Sequence, residues 1–341
     1  MKKYLLPENG KFYKANLHMH TNVSDGQMSP EETKIEFLKK GYSIVAFTDH
    51  EVMVPHPELT DDKFIAITAT EIAVNKPGRI FEFSKCYHLN IYSKDPNKKA
   101  YYGFNEKSVW LKHSLNYLDK NVEYKNYPKE YSIECMNDII NNVKKEGCIV
   151  SYNHPVWSLQ DYEDYIGFEN LWGIEWFNNG CERAGYADSI KPMDDLLRKN
   201  QNVFPLATDD AHCIEDSFGG FVMVKAEKFD YETIFNALEK GDFYSSSGPE
   251  IHELYIENGI LTVKTSNVDF IYLSSERRFN IHKTSTNGKL TEASFDINRY
   301  LNTYALEANK ESLVKPYIRI TIVDKKGKKA HTRAYFIDEL V

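Results

Sequence analysis

Apolar runs alternate with amphipathic stretches through about the first 250 residues of this chain. Of the runs Tyr13 to Met19, Ser43 to Thr48, Phe64 to Thr70, Cys86 to Tyr92, Cys148 to Tyr152, Gly173 to Phe177 and Val203 to Thr208, most are short and nearly continuous in apolar residues. That pattern predicts strands buried on both faces, because a strand with one wet face alternates instead. Helical signals lie between them. Ser29-Pro30-Glu31-Glu32 is a capping box with proline in the first turn, and Gly41 ends the helix it opens. Further helices are predicted from Ser132 to Glu146, from Ala187 to Lys199, and from Tyr231 to Lys240 behind the cap Asp230. Strands alternating with helices predict an α/β fold.

Two stretches break this rhythm. Residues 93–131 are rich in Tyr, Asn and Lys, with one helical patch expected from Val109 to Leu118, and read as an insertion over one end of the fold. From about residue 250, Ile251 to Glu257, Ile260 to Thr265, Val268 to Ser274, Ala293 to Ile297, Tyr317 to Val323 and Thr332 to Ile337 read as strands. The turns Asn258-Gly259, Asn287-Gly288 and Lys326-Gly327 separate them, a spacing that predicts a small β-sandwich. The expected domains are therefore 1–249 and 250–341, divided at Ser247-Gly248-Pro249. The second holds no cluster of ligand-type residues and is expected to pack through an apolar sheet face without supplying catalytic groups.

The apolar runs of the first part end in residues that bind metals. Asn16-Leu17-His18-Met19-His20, Phe47-Thr48-Asp49-His50, Tyr152-Asn153-His154-Pro155 and Asp209-Asp210-Ala211-His212 hold five of the eleven histidines. Residues two apart on a strand share a side, so His18 and His20 can grip one cation. Ser24-Asp25-Gly26 lets Asp25 turn back toward them, and Glu71 and His88 follow two further runs. Taken singly, an Asp-His pair or an Asn-His-Pro is a turn, and His88 in Tyr87-His88-Leu89-Asn90 reads equally as a packed strand histidine. Six such segments at one end of the fold point to a multinuclear hydrolytic centre. His56, His113, His252, His282 and His331 lack this context and read as surface or packing residues.

In this order the motifs resemble the polymerase-and-histidinol-phosphatase (PHP) superfamily. They are His18-x-His20-x-x-x-Ser24-Asp25-Gly26, Thr48-Asp49-His50, Glu71, His88, Asn153-His154-Pro155 and Asp210-Ala211-His212. The resemblance covers roughly the first 250 residues. The stretch from Asp242 to Pro249 and the β-rich remainder are similar to a two-domain bacterial branch of metal-dependent phosphoesterases. The resemblance implies a distorted seven-stranded (β/α) TIM-like barrel holding two or three divalent ions. His18, His20, Glu71 and Asp210 would hold the first. Glu71 would bridge to a second on His88 and His154, and Asp25, His50 and His212 would hold a third. Asp25 stands where some relatives have histidine. Asp209 stands where many have a small residue, which makes it a candidate to orient its neighbours.

Imidazole and carboxylate without thiolate suit Zn, Mn or Fe. The implied chemistry is hydrolysis of a phosphate ester by a water shared between two cations. Ser245 to Ser247 lack a nucleophile-elbow pattern, which argues against a covalent serine mechanism. Glu175 and Asn178 at the end of the sixth strand, and Arg183 in the next loop, are candidates to face the substrate, Arg183 through its planar fork. Tyrosines of the insertion are candidates to stack on a base or sugar. The expected substrate is a small phosphorylated metabolite, a nucleotide or a sugar phosphate. The same ligands also serve a carboxylic or carbamic ester or an amide: a cationic pocket would favour phosphate and an apolar one the ester. The remaining alternative is a non-catalytic binding or scaffold protein.

Composition narrows the partners. A net charge of -8 and a pI near 5.8 argue against a nucleic-acid or membrane-surface partner, although bound cations would reverse the sign locally. No apolar run approaches the ~20 residues of a membrane span. Five scattered cysteines without a Cys-x-x-Cys pair, and no signal-type apolar segment, make the cytoplasm the expected compartment. Composition leaves the oligomeric state open.

Overall fold

The fold, a computed structural model, describes residues 2–78, 80, 83–307 and 314–340. After the short β1 (Lys3–Tyr4), the apolar runs form β2 (Lys11–Met19), β3 (Tyr42–Phe47), β4 (Ile65–Asn75), β5 (Cys86–Ser93), β6 (Cys148–Tyr152), β7 (Gly173–Asn178) and β8 (Phe204–Thr208). They lie side by side in chain order. β2, β3 and β4 are parallel, as are β6, β7 and β8, but β5 runs antiparallel to both its neighbours. The sheet is therefore mixed. Among the described residues β8 forms no ladder with β2. The two meet beyond the strand end, in one bridge between Met19 and Ala211 and in bonds from Asp210 N to His18 O (3.0 Å) and His20 N to Ala211 O (3.1 Å). Strand pairing thus establishes a large mixed sheet, whereas a closed seven-stranded ring of ladders does not appear in it.

The helices form where the caps predict them. α1 (Pro30–Lys39) carries the full capping box, with Ser29 Oγ accepting from Glu32 N and Glu32 Oε2 from Ser29 N. α2 (Ile133–Lys145) buries Met136, Ile139, Ile140 and Val143, three and four residues apart on one face. The short α3 (Tyr162–Tyr165) and α4 (Asn179–Arg183) follow. α5 (Lys191–Leu197) is shorter than its periodicity predicts, because Pro192 sits in its first turn and nothing upstream caps it. α6 (Tyr231–Lys240) ends at Gly241, whose φ of 78° only glycine adopts cheaply. The insertion is mostly irregular. Its expected helical patch is a 3₁₀ turn over Lys112–Tyr117, and Tyr101, Phe104 and Val109 anchor the segment in the core.

Two strands not among the predicted runs extend the sheet: β9 (Phe221–Ala226), antiparallel to β2, whose Phe-Val-Met-Val run after Gly219-Gly220 is itself a strand signal, and β10 (Phe243–Ser246), which pairs with β9. The chain then adds β11 (Ile251–Glu257), β12 (Ile260–Val268), β13 (Phe270–Ser275), β14 (Asn280–Thr284), β15 (Leu290–Asp296), β16 (Tyr317–Val323) and β17 (Lys329–Thr332). β1, β11, β12 and β15 form a small antiparallel sheet. β17 pairs with β10, so β16, β13 and β14 continue the large sheet. The two layers share an apolar core of Leu254, Ile256, Val263 and Phe295 against Ile271, Leu273, Ile318, Ile320 and Ile322. The other face of β16 is polar. Arg319 forms a two-pronged pair with Asp194 of α5 at 3.0 and 2.8 Å, and His331 packs 4.4 Å from the Trp176 ring.

Candidate metal centre

Each candidate ligand reaches one place by a different route. His18 and His20 alternate with Leu17 and Met19, which enter the apolar core on the other side. His50 follows β3 and bridges to Glu71, which lies inside β4 rather than at its end. His88 pairs in register with Ala73, two residues from Glu71. Because β5 is reversed, its N-terminal half arrives where the other strands end. His154, Asp210 and His212 follow β6 and β8. Gly26 folds Asp25 back: a Cβ there would stand 2.2 Å from the His20 carbonyl oxygen. Three non-glycine residues in or next to the ligand motifs hold positive φ, His154 at 26°, Asp210 at 50° and Glu51 at 65°. Such backbone costs on the order of 1–3 kcal/mol each and concentrates at sites of function.

Glu71 is the hub. Its Oε1 lies 3.3 Å from His18 Nε2, 3.2 Å from His88 Nδ1 and 3.4 Å from His154 Nε2. Its Oε2 lies 3.4 Å from His20 Nε2 and 3.3 Å from His50 Nδ1. Asp210 Oδ1 adds His18 Nε2 at 3.2 Å and His20 Nε2 at 3.1 Å. Asp25 stands on the other flank, 3.6 Å from His20, 3.7 Å from His50 and 3.4 Å from His212. Three groups present ligand atoms within 4.8 Å of one another: His20, Asp25, His50 and His212; His18, Glu71 and His154; His18, His20 and Asp210.

These residues fit cations. His18 Nδ1 donates to Glu175 Oε1 at 2.8 Å, which leaves the Nε2 lone pair facing the centre. His20 Nε2 stands 3.1 Å from His18 Nε2. Two such lone pairs repel unless something positive lies between them. His20 Nδ1, His50 Nδ1, His88 Nδ1 and Asp210 Oδ1 are buried without a hydrogen-bond partner, and orphaned buried polar atoms are costly.

The electrostatics agree. Burial pulls His18 and His88 toward the neutral form, but Asp210, Glu71 and Glu175 around His18, and Glu71 beside His88, raise both well above the ordinary histidine range. His212 is raised against its burial to about 9 by Asp25 and Asp210. His50 falls to about 3, because burial and the charges of His20 and His88 outweigh Glu71 and Asp25. Glu71 and Asp210 stay ionised despite burial, held down by the surrounding histidines. The lone pairs that attract these protons are those a cation would take.

Neighbouring polar residues hold the ligands in place. Glu175 also accepts from Thr208 Oγ1 (2.6 Å) and His154 N (3.0 Å), so it stands behind the ligands. Asn178 donates to Glu175 Oε2 and Asp210 Oδ2, and Asn153 donates to Glu71 Oε1 at 2.8 Å. Asp49 collects Thr21 and Ser24 and so ties down the loop that carries Asp25. Asp209 accepts the N–H groups of Phe218, Gly219 and Gly220, and burial pushes its carboxyl up to about 7.

A cavity of about 790 Å³ opens above the centre. Arg183 does not line it: its side chain is 54% exposed and faces Asp216 at 3.5 Å. The insertion contributes Ser108, Trp110 and Lys129 to the wall, and Trp157 joins them. Among the described residues the cavity is lined by the tryptophans Trp110 and Trp157 and by no tyrosine of the insertion. Nothing local marks Trp110 or Lys129, since each is an isolated residue in an irregular segment. His113, also in the insertion, bonds the Ser24 carbonyl at 2.9 Å.

The chain is similar in structure to a two-domain protein from Bacteroides vulgatus containing a predicted PHP-like metal-dependent phosphoesterase, at 15% identity over 98% of each chain with a TM-score of 0.45. It is also similar to a lesion-specific endonuclease from Pyrococcus furiosus, at 16% identity over 67% of this chain and 56% of that one, TM-score 0.39. A third likeness is to an amidohydrolase from Chromobacterium violaceum, solved with sulfate and no metal, at 14% identity over 67% of this chain and 96% of that one, TM-score 0.36. No protein-family model matches the chain, and no curated protein matches it. Likeness at this level does not carry function, so the functional reading rests on the site.

Proposed function

We propose that this chain is a metal-dependent hydrolase that cleaves a phosphoric ester of a small metabolite in the cytoplasm. The observation that carries the reading is the meeting of five histidines on the Glu71 carboxylate, with buried ligand atoms left unpartnered beside it. His18, His20, Glu71 and Asp210 would hold one divalent ion, Glu71, His88 and His154 a second, and Asp25, His50 and His212 a third. Zn, Mn or Fe bound there would supply Lewis acidity and acidify a water toward neutral pH. The protein's own groups orient the ligands: Glu175 fixes the His18 tautomer, and Asn153 and Asn178 hold Glu71 and Asp210. The insertion covers the cavity and limits water around the substrate. We read the curved sheet from β2 to β8 as the distorted barrel of residues 1–249, and residues 250–341 as a β-domain that supplies no ligand. Among the described residues none of that domain lines the cavity.

One observation favours a second reading. Among the described residues Lys129 is the one lysine or arginine in the lining, and Glu51 already neutralises it. Trp110, Trp157, Val74 and Ala184 make much of the remaining wall apolar. A carboxylic or carbamic ester or an amide would suit such a pocket, while bound cations by themselves would suit phosphate. Elemental analysis together with hydrolysis of matched aryl phosphates and aryl acetates tests both. The expected result is two or three equivalents of metal and turnover of the phosphate. Metal with acetate turnover alone selects the second reading. Less than one equivalent, with no gain on adding Mn, Zn or Fe, removes the catalytic reading.

A further inference from the structure

The metal ligands form one side of the cavity, and the rest of its wall has no role so far. An inorganic phosphate fills a small part of 790 Å³, so this wall faces the organic part of the substrate. Lys129 is 3% exposed there and ion-paired with Glu51, which is 1% exposed. Glu51 is clamped. Its N–H donates to the Glu71 carbonyl at 2.8 Å, the Tyr101 hydroxyl donates to its carbonyl at 3.0 Å, and Ala73 N donates to Oε1 at 3.0 Å. A buried pair of this kind adds little to stability. It is also a poor receptor for a second anion, which the carboxylate beside the lysine would repel. What it offers is N–H donors next to a carboxylate acceptor. A hydroxyl group, donor and acceptor in one, satisfies both.

The aromatic side chains extend this surface. The Trp110 ring lies 6.0 Å from His50, and the Trp157 ring lies 5.4 Å from His88 and 5.1 Å from His154. The two indoles flank the His50–His88 pair, whose rings are 5.7 Å apart. Trp110 is 57% exposed and so open to a ligand. Indole faces cover the C–H surface of a sugar ring as readily as they stack on a base, so they alone do not select between the two.

We propose that this wall is a sugar subsite, in which Lys129 and Glu51 bind ring hydroxyls while Trp110 and Trp157 cover the apolar ring face. The substrate is then a sugar phosphate rather than a nucleotide. The inference rests on the phosphoester reading above and narrows it.

The test uses the metal-loaded full chain with a hexose phosphate, a nucleoside monophosphate and para-nitrophenyl phosphate. A kcat/KM for the hexose phosphate at least tenfold above that for the nucleotide is expected. Lys129→Met combined with Glu51→Gln removes both charges, so no lone buried charge threatens folding. This double variant is expected to lower the ratio of hexose phosphate to para-nitrophenyl phosphate turnover about tenfold, through KM. Preference for the nucleotide, or an unchanged ratio in the double variant, overturns the subsite. Failure of all three esters overturns the parent reading instead. Tryptophan fluorescence then decides the subsite without turnover: quenching by the hexose phosphate that the double variant loses upholds it, and no quenching ends it.

Discussion

The two halves of the large sheet, β14 to β9 and β2 to β8, fill their inward positions in opposite ways. In β13 and β16 these are Ile271, Leu273, Ile318, Ile320 and Ile322, packed on the small sheet. In β2, β4 and β5 they include His18, Glu71 and His88. The tail gains stability from apolar area removed from water, at roughly 25 cal/mol per Å². The site-bearing half spends stability on buried ionisable groups and strained backbone, offset by hydrogen bonds and, when loaded, by cations. A change in one half should therefore read out in activity and metal content, and a change in the other in stability.

The largest expected effect is at Glu71. Glu71→Gln keeps the size but removes the charge that five histidines share. Turnover is expected to fall on the order of a thousandfold, the equivalent of the several kcal/mol a cation contributes, with metal content reduced and the unfolding midpoint of the metal-free protein little lowered. Near-normal activity at full metal content would break the contrast. Ile320→Ala comes next and should do the reverse. Removing a fully buried side chain is expected to cost about 2–5 kcal/mol in a denaturant titration while metal content stays normal.

His331 sharpens the comparison at the seam between the two halves. Burial first, then the charges of Arg319 and Lys329, hold it well below the usual histidine range, so the folded state keeps it neutral. The unfolded chain takes up a proton near pH 6.5 and the folded chain does not, so stability falls as pH drops below about 6.5. His331→Phe should flatten that acid limb in thermal melts; an unchanged limb would assign it to other groups. The smallest effect belongs to Arg183. Its side chain is exposed and lies outside the lining, paired with Asp216 of the cavity wall, and its replacement by alanine is expected to change kcat/KM by no more than about twofold, as for an ordinary surface ion pair. A larger loss would bring the α4 loop into substrate binding.

Local signals made some parts legible. The seven apolar runs became β2 to β8 because a strand buried on both faces needs little but continuous apolar residues. The Ser29 box and the Asp230 cap form as their side chains require. Ligand-type residues stand out because histidine and carboxylate at strand ends have few structural reasons to be there. By contrast, β10 and β14 were hidden, since Phe-Tyr-Ser-Ser and Asn-Ile-His-Lys-Thr become strands only when paired.

By itself the sequence determined which residues could bind metal, their order, and the strands that carry them, because these depend on residue type and spacing over a few positions. The tertiary structure decided that β5 runs backwards, that Glu71 sits inside its strand and touches five histidines, and that Glu175 and Asn178 bond to His18 and Asp210. It also decided that Lys129 meets Glu51 across 78 residues of chain. Contacts between such distant residues leave no periodicity to read. They are set by how the sheet curves and which loops it brings together.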